Sequence, residues 1–214
     1  MAIFNKGILG GFSGKAGSIV GSSWKGRAVI RSLPAKRANR VLTQAQLDQQ
    51  EKFKLTIAFL AGMADFLKIS FGRYAPSISG YNAACSYNMQ RAIAGSSSPF
   101  SIDFSQALVS TGSLPNAGAP TALAVAGNQV AFSWTDNTGI GKASATDLAM
   151  LVVHCPETGR SVYITEGAAR SGLTHTLDTS VFAGKLVETW IAFRSADGKL
   201  VSDSVYTGSL TLIA

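Results

Sequence analysis

Residues 1–42 set the strongest constraint on what this chain can fold into. Seven glycines fall in the stretch GILGGFSGKAGSIVGSSWKG, from Gly7 to Gly26. Eight basic side chains (Lys6, Lys15, Lys25, Arg27, Arg31, Lys36, Arg37 and Arg40) share the segment with no acid, the first acid being Asp48. The remaining 11 basic residues are offset by 12 acidic ones, so the whole formal charge of +7 resides in this arm. Ordering a backbone costs roughly 1–2 kcal/mol per residue, and glycine loses the most freedom. With few bulky side chains to bury, the arm cannot build a core of its own. It either stays disordered or lies against something else.

At 214 residues, 46% hydrophobic and 14% charged, the chain can form one large domain or two small ones. This composition argues against global disorder. Low charge with many Gly, Ser and Ala residues fits proteins that hide much of their surface in assemblies. Cys85 and Cys155 are far apart in sequence; two buried thiols are expected, with a single disulfide as the alternative. No apolar run reaches the roughly 20 residues that span a bilayer, so no membrane span is expected. The opening MAIFNKGILGG has an early Lys, but Gly7, Gly10 and Gly11 interrupt its apolar run and no A-x-A site follows. That argues against a conventional signal peptide.

Within the arm, Ser23 to Arg31 alternates as a strand, with Trp24, Gly26, Ala28 and Ile30 on one face and Lys25, Arg27 and Arg31 on the other. Pro34 ends it, and the basic stretch Lys36 to Arg40 leads onward. Thr43, with Gln46 three residues later, predicts a capped helix start. Phe53, Ile57, Leu60, Ala64 and Leu67 line one face of that helix, and Phe59, Met63 and Phe66 line a second. A helix apolar on two sides is buried on two sides; the second cover is either a neighbouring subunit or the C-terminal domain. Gly72 and Pro76 break the pattern. A second helix fits Gly80 to Ala94, with Tyr81, Cys85, Met89 and Ala92 in one stripe and Gly95 closing it. Phe100 to Val109 alternates again and is read as a strand. The arm strand Ser23 to Arg31 is expected to pair on a neighbouring subunit, with Trp24 in an apolar groove there, the alternative being that it folds back onto Phe100 to Val109. PNAGAP, Pro115 to Pro120, reads as a domain boundary.

Beyond it seven strands are predicted: Ala122–Ala126, Gln129–Thr135, Asp147–Cys155, Arg160–Thr165, Leu173–Leu177, Lys185–Arg194 and Lys199–Thr207. Seven short strands in roughly 90 residues argue for an antiparallel sandwich. PTALAVAGNQVAFSWTD, with Pro120 and Trp134, resembles the opening of a fibronectin type III domain. WIAFRSADGKLVSDSVY, with Gly198 in its turn, resembles that family's last hairpin. The tyrosine such domains carry before that hairpin is missing; Leu186 or Val187 sits near its place. FNKGILGGFSGKAGSIVGSSWKG resembles the N-terminal signature of a set of uncharacterised Bacteroidota proteins of this length, and YNAACSYN resembles a second block of that set. These resemblances imply a fold but no activity.

Motifs with chemistry fall short. GGFSGKAG lacks P-loop spacing: Leu9 stands five before Gly14, and Ala16 follows Lys15 where a Ser or Thr is needed. His154 and Cys155 are adjacent on a strand and point to opposite faces, while His175 and Cys85 lie far off, so no clustered metal set is read. Asp136, Asp147, Asp197 and Asp203 fall at turns or strand ends, where Asp serves the backbone. No G-x-S-x-G elbow occurs. No catalytic residue, cofactor or metal is assigned.

The expectation is an α+β chain in three parts. A Gly-rich basic β arm (1–42) is followed by a helical middle with one or two strands (43–114), then by a seven-stranded antiparallel fibronectin III-like sandwich (115–214). The expected role is a non-enzymatic structural subunit whose partners are copies of itself, in a filament, tube or shell at the cell surface or outside it. Phe12, Trp24, Ala28, Ile30, Phe59, Met63 and Phe66 are the expected assembly surface. The alternative is a nucleic-acid or anionic-polymer binder that uses the basic arm.

Overall fold

A computed structural model describes residues 3–4, 11–24, 27–33, 41–72 and 78–213. Lys6, Lys25, Gly26, Pro34, Lys36, Arg37, Arg40 and Pro76 lie outside the described residues, as do the readings that rested on them. The chain forms two compact units, Met1–Leu42 and Thr43–Ala214.

The first unit is a four-stranded antiparallel meander of β1 (Ile3–Phe4), β2 (Phe12–Ala16), β3 (Ile19–Trp24) and β4 (Arg27–Ser32). Gly17 takes φ +61° in the β2–β3 turn, a conformation costly for any residue with a Cβ. The expected single strand Ser23 to Arg31 is corrected here. Trp24 pairs with Arg27 and Ser23 with Ala28, so the chain reverses between them and forms a hairpin.

The second unit opens with α1 (Gln44–Ala61), where Gln46 Oε1 accepts from Thr43 N at 3.2 Å. The single helix expected through Leu67 is instead broken at Gly62–Met63, and α2 (Ala64–Ser70) follows. A Cβ on Gly62 would lie 3.0 Å from both Gly159 O and Ser161 N, so the end of α1 presses on a strand turn. Ser79 Oγ caps α3 (Gly80–Arg91) by accepting from Asn82 N. Gly95 does not close that helix. It turns between β5 (Ile93–Ala94) and β6 (Ser101–Ile102), which pair with each other. The long strand expected over Phe100 to Val109 therefore shrinks to two residues. Asp103 ends it by accepting from Ser105 N at 3.0 Å in a tight turn.

The remaining strands are β7 (Gly118–Val125), β8 (Gln129–Thr135), β9 (Leu148–Cys155), β10 (Arg160–Ile164), β11 (Thr174–Asp178), β12 (Leu186–Arg194) and β13 (Val205–Thr211). They make a three-stranded sheet, β11-β8-β7, and a four-stranded sheet, β10-β9-β12-β13, all antiparallel. The last strand starts later than expected. Val201 and Ser202 bridge to Arg194 and Leu114 instead, and the side chains of Asp203 and Ser204 bind residues 109–112.

Three layers result. The four-stranded sheet lies in the middle, and β9 and β12 are buried along almost their whole length. On one face Met150, Val152, Trp190 and Ala192 pack against Phe59, Leu60, Met63, Phe66 and Leu67 of the helices. On the other, Leu151, Val153, Ile191 and Phe193 pack against Val130, Phe132 and Trp134 of the smaller sheet. Helices and sandwich thus share a core and form one compact unit. PNAGAP is held within it: the carbonyls of Pro115 and Asn116 accept from the Arg170 guanidinium.

Candidate functional site

Cross-strand partners in an antiparallel sheet point to the same face, so the register sorts the arm's side chains. Lys15, Val20 and Arg31 form one row across β2, β3 and β4. Trp24, Arg27 and Val29 belong to that same face. The opposite face carries Gly14, Gly21 and Ile30 in a row, with Ala28 and Ser23 beside it and Phe12 two residues before Gly14. A Cβ on Gly21 would fall 2.6 Å from the Phe12 ring and 2.3 Å from its carbonyl oxygen, so only glycine fits beneath Phe12. The structure therefore groups Phe12, Ala28 and Ile30 and turns Trp24 to the other side, among three basic side chains.

Burial separates the arm from the body. Among its described residues only Gly21 is buried. Trp24 is 60% exposed and Ile30 63%. All six residues of β4 are exposed, and among the described residues β4 pairs with β3 alone.

Phe59, Met63 and Phe66 require a correction as assembly residues. All three are at most 3% exposed inside the second unit's own core. Phe59 packs edge-on against Phe104 at 5.6 Å and His154 at 5.1 Å, and Phe66 lies 5.5 Å from Tyr163. The helices' second apolar face is covered by the central sheet. Phe53, placed on the first face, is 51% exposed.

The remaining polar candidates are tied into the fold. Asp136 accepts from Thr138 N and Asp197 from Lys199 N, as expected of turn carboxylates, whereas Asp203 accepts from Thr111 Oγ1 and Gly112 N in a distant segment. Asp147 differs, being 1% exposed and 3.1 Å from Arg170 Nε. Arg170 is fully buried, and its other nitrogens donate to Asn137 Oδ1 and to the carbonyls of Pro115 and Asn116. Its guanidinium stacks 3.9 Å from the Phe193 ring centroid, and its own carbonyl accepts from Trp134 Nε1 at 2.7 Å. Burial lowers the Arg170 pKa, and Asp147 opposes that shift. Each guanidinium nitrogen has a partner within the fold, which is the pattern of a structural pin. Nothing in the sequence around Arg170 marks it, because its partners come from four separate segments.

His154 and Cys155 do point to opposite faces: Cys155 lies in the core between the sheets, and His154 stacks against Phe59 beneath the helices. Burial pushes the His154 pKa down to about 4. Cys85 and Cys155 are both buried, in different cores. Among the described residues no three His, Cys, Asp or Glu side chains come together to hold a metal ion. No helix among them is long and apolar enough to cross a membrane.

No curated protein and no solved structure matches the chain. Residues 11–208, spanning most of the arm and nearly all of the body, match the model described as "Family of unknown function (DUF6266)", and the chain belongs to that family.

Proposed function

We propose that the chain is a non-enzymatic structural subunit that assembles with copies of itself into a filament, tube or shell through its N-terminal arm. One observation carries the reading: the arm is an ordered sheet in which Gly21 alone of the described residues is buried. A sheet needs a covered face to offset its ordering entropy. Phe12, Ala28 and Ile30 offer an apolar face for that purpose, and the exposed strand β4 offers an edge. Edge strands with unpaired amides recruit further strands, and exchange of such elements between copies is a common route to assembly.

The body's strand order, β11-β8-β7 against β10-β9-β12-β13, supports reading it as a fibronectin type III-like module. Such modules serve as rigid spacers, which suits a repeating surface structure, and a bacterial cell surface is the setting we assign. Negative-stain microscopy and sedimentation of the full chain at rising concentration test the reading. Regular polymers support it; a monomer at every concentration overturns it.

A second reading has its own observation. Arg27 stands opposite Trp24, and Lys15 and Arg31 share its sheet face in the row of Val20, a grouping of cations and an aromatic that suits phosphate backbones and bases. Nucleic acid retained at low salt and released by high-salt washing, read from the absorbance ratio, would favour this binder over the polymer.

A further inference from the structure

A cavity of about 350 Å³ opens in the body between α1, the β5–β6 hairpin and the β9–β10 turn. Leu55, Phe59, Phe100, Ile102 and Phe104 line it, together with His154. Its volume falls within the range of about 300–1,000 Å³ that small-molecule sites occupy.

The walls are apolar and fixed. Phe104 stands 5.6 Å from Phe59 and 6.0 Å from Trp190, in edge-to-face contacts that hold the rings in place. Among these side chains His154 is the polar exception, and it is 2% exposed. Its Nδ1 lies 2.9 Å from Ser161 Oγ. Its Nε2 has no hydrogen-bond partner among the described residues, and it is not one of the sealed unsatisfied atoms, Asn128 Oδ1 and Arg194 Nε, so it keeps access to the cavity that His154 lines. A largely apolar cavity with few polar side chains, here His154 and the exposed Ser101, is the usual make-up of a small-ligand site.

We propose that this cavity binds a small neutral molecule with an aromatic body and one hydroxyl group, the hydroxyl bonding to His154 Nε2. The aromatic body matches the ring edges and faces of Phe59, Phe100 and Phe104. The hydroxyl follows from the histidine. If Nδ1 carries the proton and donates to Ser161, Nε2 is an acceptor; if Ser161 donates, Nε2 carries the proton. A hydroxyl both donates and accepts, so it satisfies either tautomer. An ionised ligand would bring a charge into apolar surroundings at high cost. The depressed His154 pKa of about 4 keeps the ring neutral at pH 7, in keeping with a neutral ligand.

The test compares 4-ethylphenol with ethylbenzene, which differ only in the hydroxyl, by calorimetric titration of the full chain. Both are expected to bind saturably, the phenol about fivefold tighter, the worth of one net hydrogen bond. Ala58 lines the same cavity from an exposed position on α1, so Ala58→Trp should block both ligands and leave the melting temperature unchanged. His154→Phe should equalise the two affinities. If that variant does not fold, the ¹⁵N resonance of His154 Nε2 in the unaltered chain replaces it, and should move with 4-ethylphenol but not with ethylbenzene. Absence of saturable binding, binding unchanged in Ala58→Trp, or a preference for the phenol that survives His154→Phe each overturns the proposal. So does an Nε2 resonance that stays still.

Discussion

The arm and the body both rest on antiparallel sheets, yet they bury opposite amounts of them. Of the described arm residues only Gly21 is hidden, whereas β9 has seven of its eight residues buried and β12 seven of its nine. The cause is layering. The central sheet is covered on one face by α1, α2 and α3 and on the other by the smaller sheet. On the described strands β2 to β4 the large apolar side chains, Phe12, Ile19, Val20, Trp24, Val29 and Ile30, divide between the two faces and leave each thin. A layered body stabilises itself through its own burial; a thin sheet gains stability chiefly from what covers it. On the proposed reading, assembly belongs to the arm and fold stability to the body, and the contrast can be tested from either side.

Removing the arm is the largest perturbation. Deleting residues 1–31 should abolish polymer formation entirely while leaving a folded monomer, since both cores lie within Thr43–Ala214. Circular dichroism and sedimentation velocity read the two outcomes. Loss of the β signal from the truncated protein would show that the body depends on the arm and would break the contrast.

Within the body, the largest single-residue effects are expected where the smaller sheet meets the central one. Trp134 is 5% exposed, packs edge-on against Phe193 at 5.5 Å and donates to the Arg170 carbonyl. Trp134→Ala should cost about 3–5 kcal/mol. Arg170→Met leaves the buried Asp147 carboxylate with its Ser144 N–H but without a counter-ion, and should also cost about 3–5 kcal/mol. Adding Asp147→Leu to that variant should recover part of the loss, because the orphaned charge is then gone. Urea denaturation of the three proteins decides it, and a single variant as stable as the parent would show that this end of the sandwich is not a pin.

A smaller effect follows from His154. In the native state it stays neutral down to about pH 4, while an unfolded histidine titrates near 6.5. Between these values the unfolded state holds more protons, so stability is complete above about pH 6.5 and falls as the pH drops toward 4. The loss is about 3 kcal/mol over that window. Denaturation midpoints at pH 7, 5.5 and 4.5 measure it. A His154→Phe variant should show a flatter profile over the same range, and an unchanged slope would place the effect on other groups.

Much of the body was readable because its signals are local. The turns at Asn128, Gly159 and Gly198 delimit strands, and Gln129–Thr135 alternates cleanly with one face buried, so its bounds were expected as they stand. The strand breaks elsewhere were harder, since Ser202, Asp203 and Ser204 look like strand residues until residues 109–112 claim their hydrogen bonds. The third layer was legible in principle. LAMLVVHC and LVETWIAFR are nearly continuous apolar runs, the mark of strands covered on both faces; read so, they would have supplied the second cover for the α1 face without a neighbouring subunit. The cavity beside His154 and the Arg170 pin could not be read, because each is assembled from segments well separated in sequence: 41 or more residues between those lining the cavity, and 23 to 55 between Arg170 and its hydrogen-bond partners. In the arm, period-2 alternation gave strands but concealed that β3 and β4 run antiparallel, since an unbroken alternation from Ser23 to Arg31 reads as one longer strand.

The smallest effect expected on stability is also the one that divides the two regions most sharply. Ile30 is 63% exposed on β4 and stands opposite Gly21, on the face with Phe12 and Ala28. Ile30→Ser keeps a side chain of strand-compatible shape, adds a hydroxyl that water can solvate and removes most of the apolar area at that point. An exposed substitution away from caps, cores and charge pairs changes stability by no more than about 0.5 kcal/mol, so the body's urea midpoint should not move. Assembly should respond differently: if Ile30 is covered by a neighbouring copy, removing it costs about 1–2 kcal/mol of buried area per contact, and that loss recurs at every joint of a polymer. The concentration at which polymers form should therefore rise about tenfold. A shifted urea midpoint with unchanged assembly would reverse the assignment, making the Phe12–Ile30 face a part of the chain's own stability and leaving the Trp24 face as the surface that meets a partner.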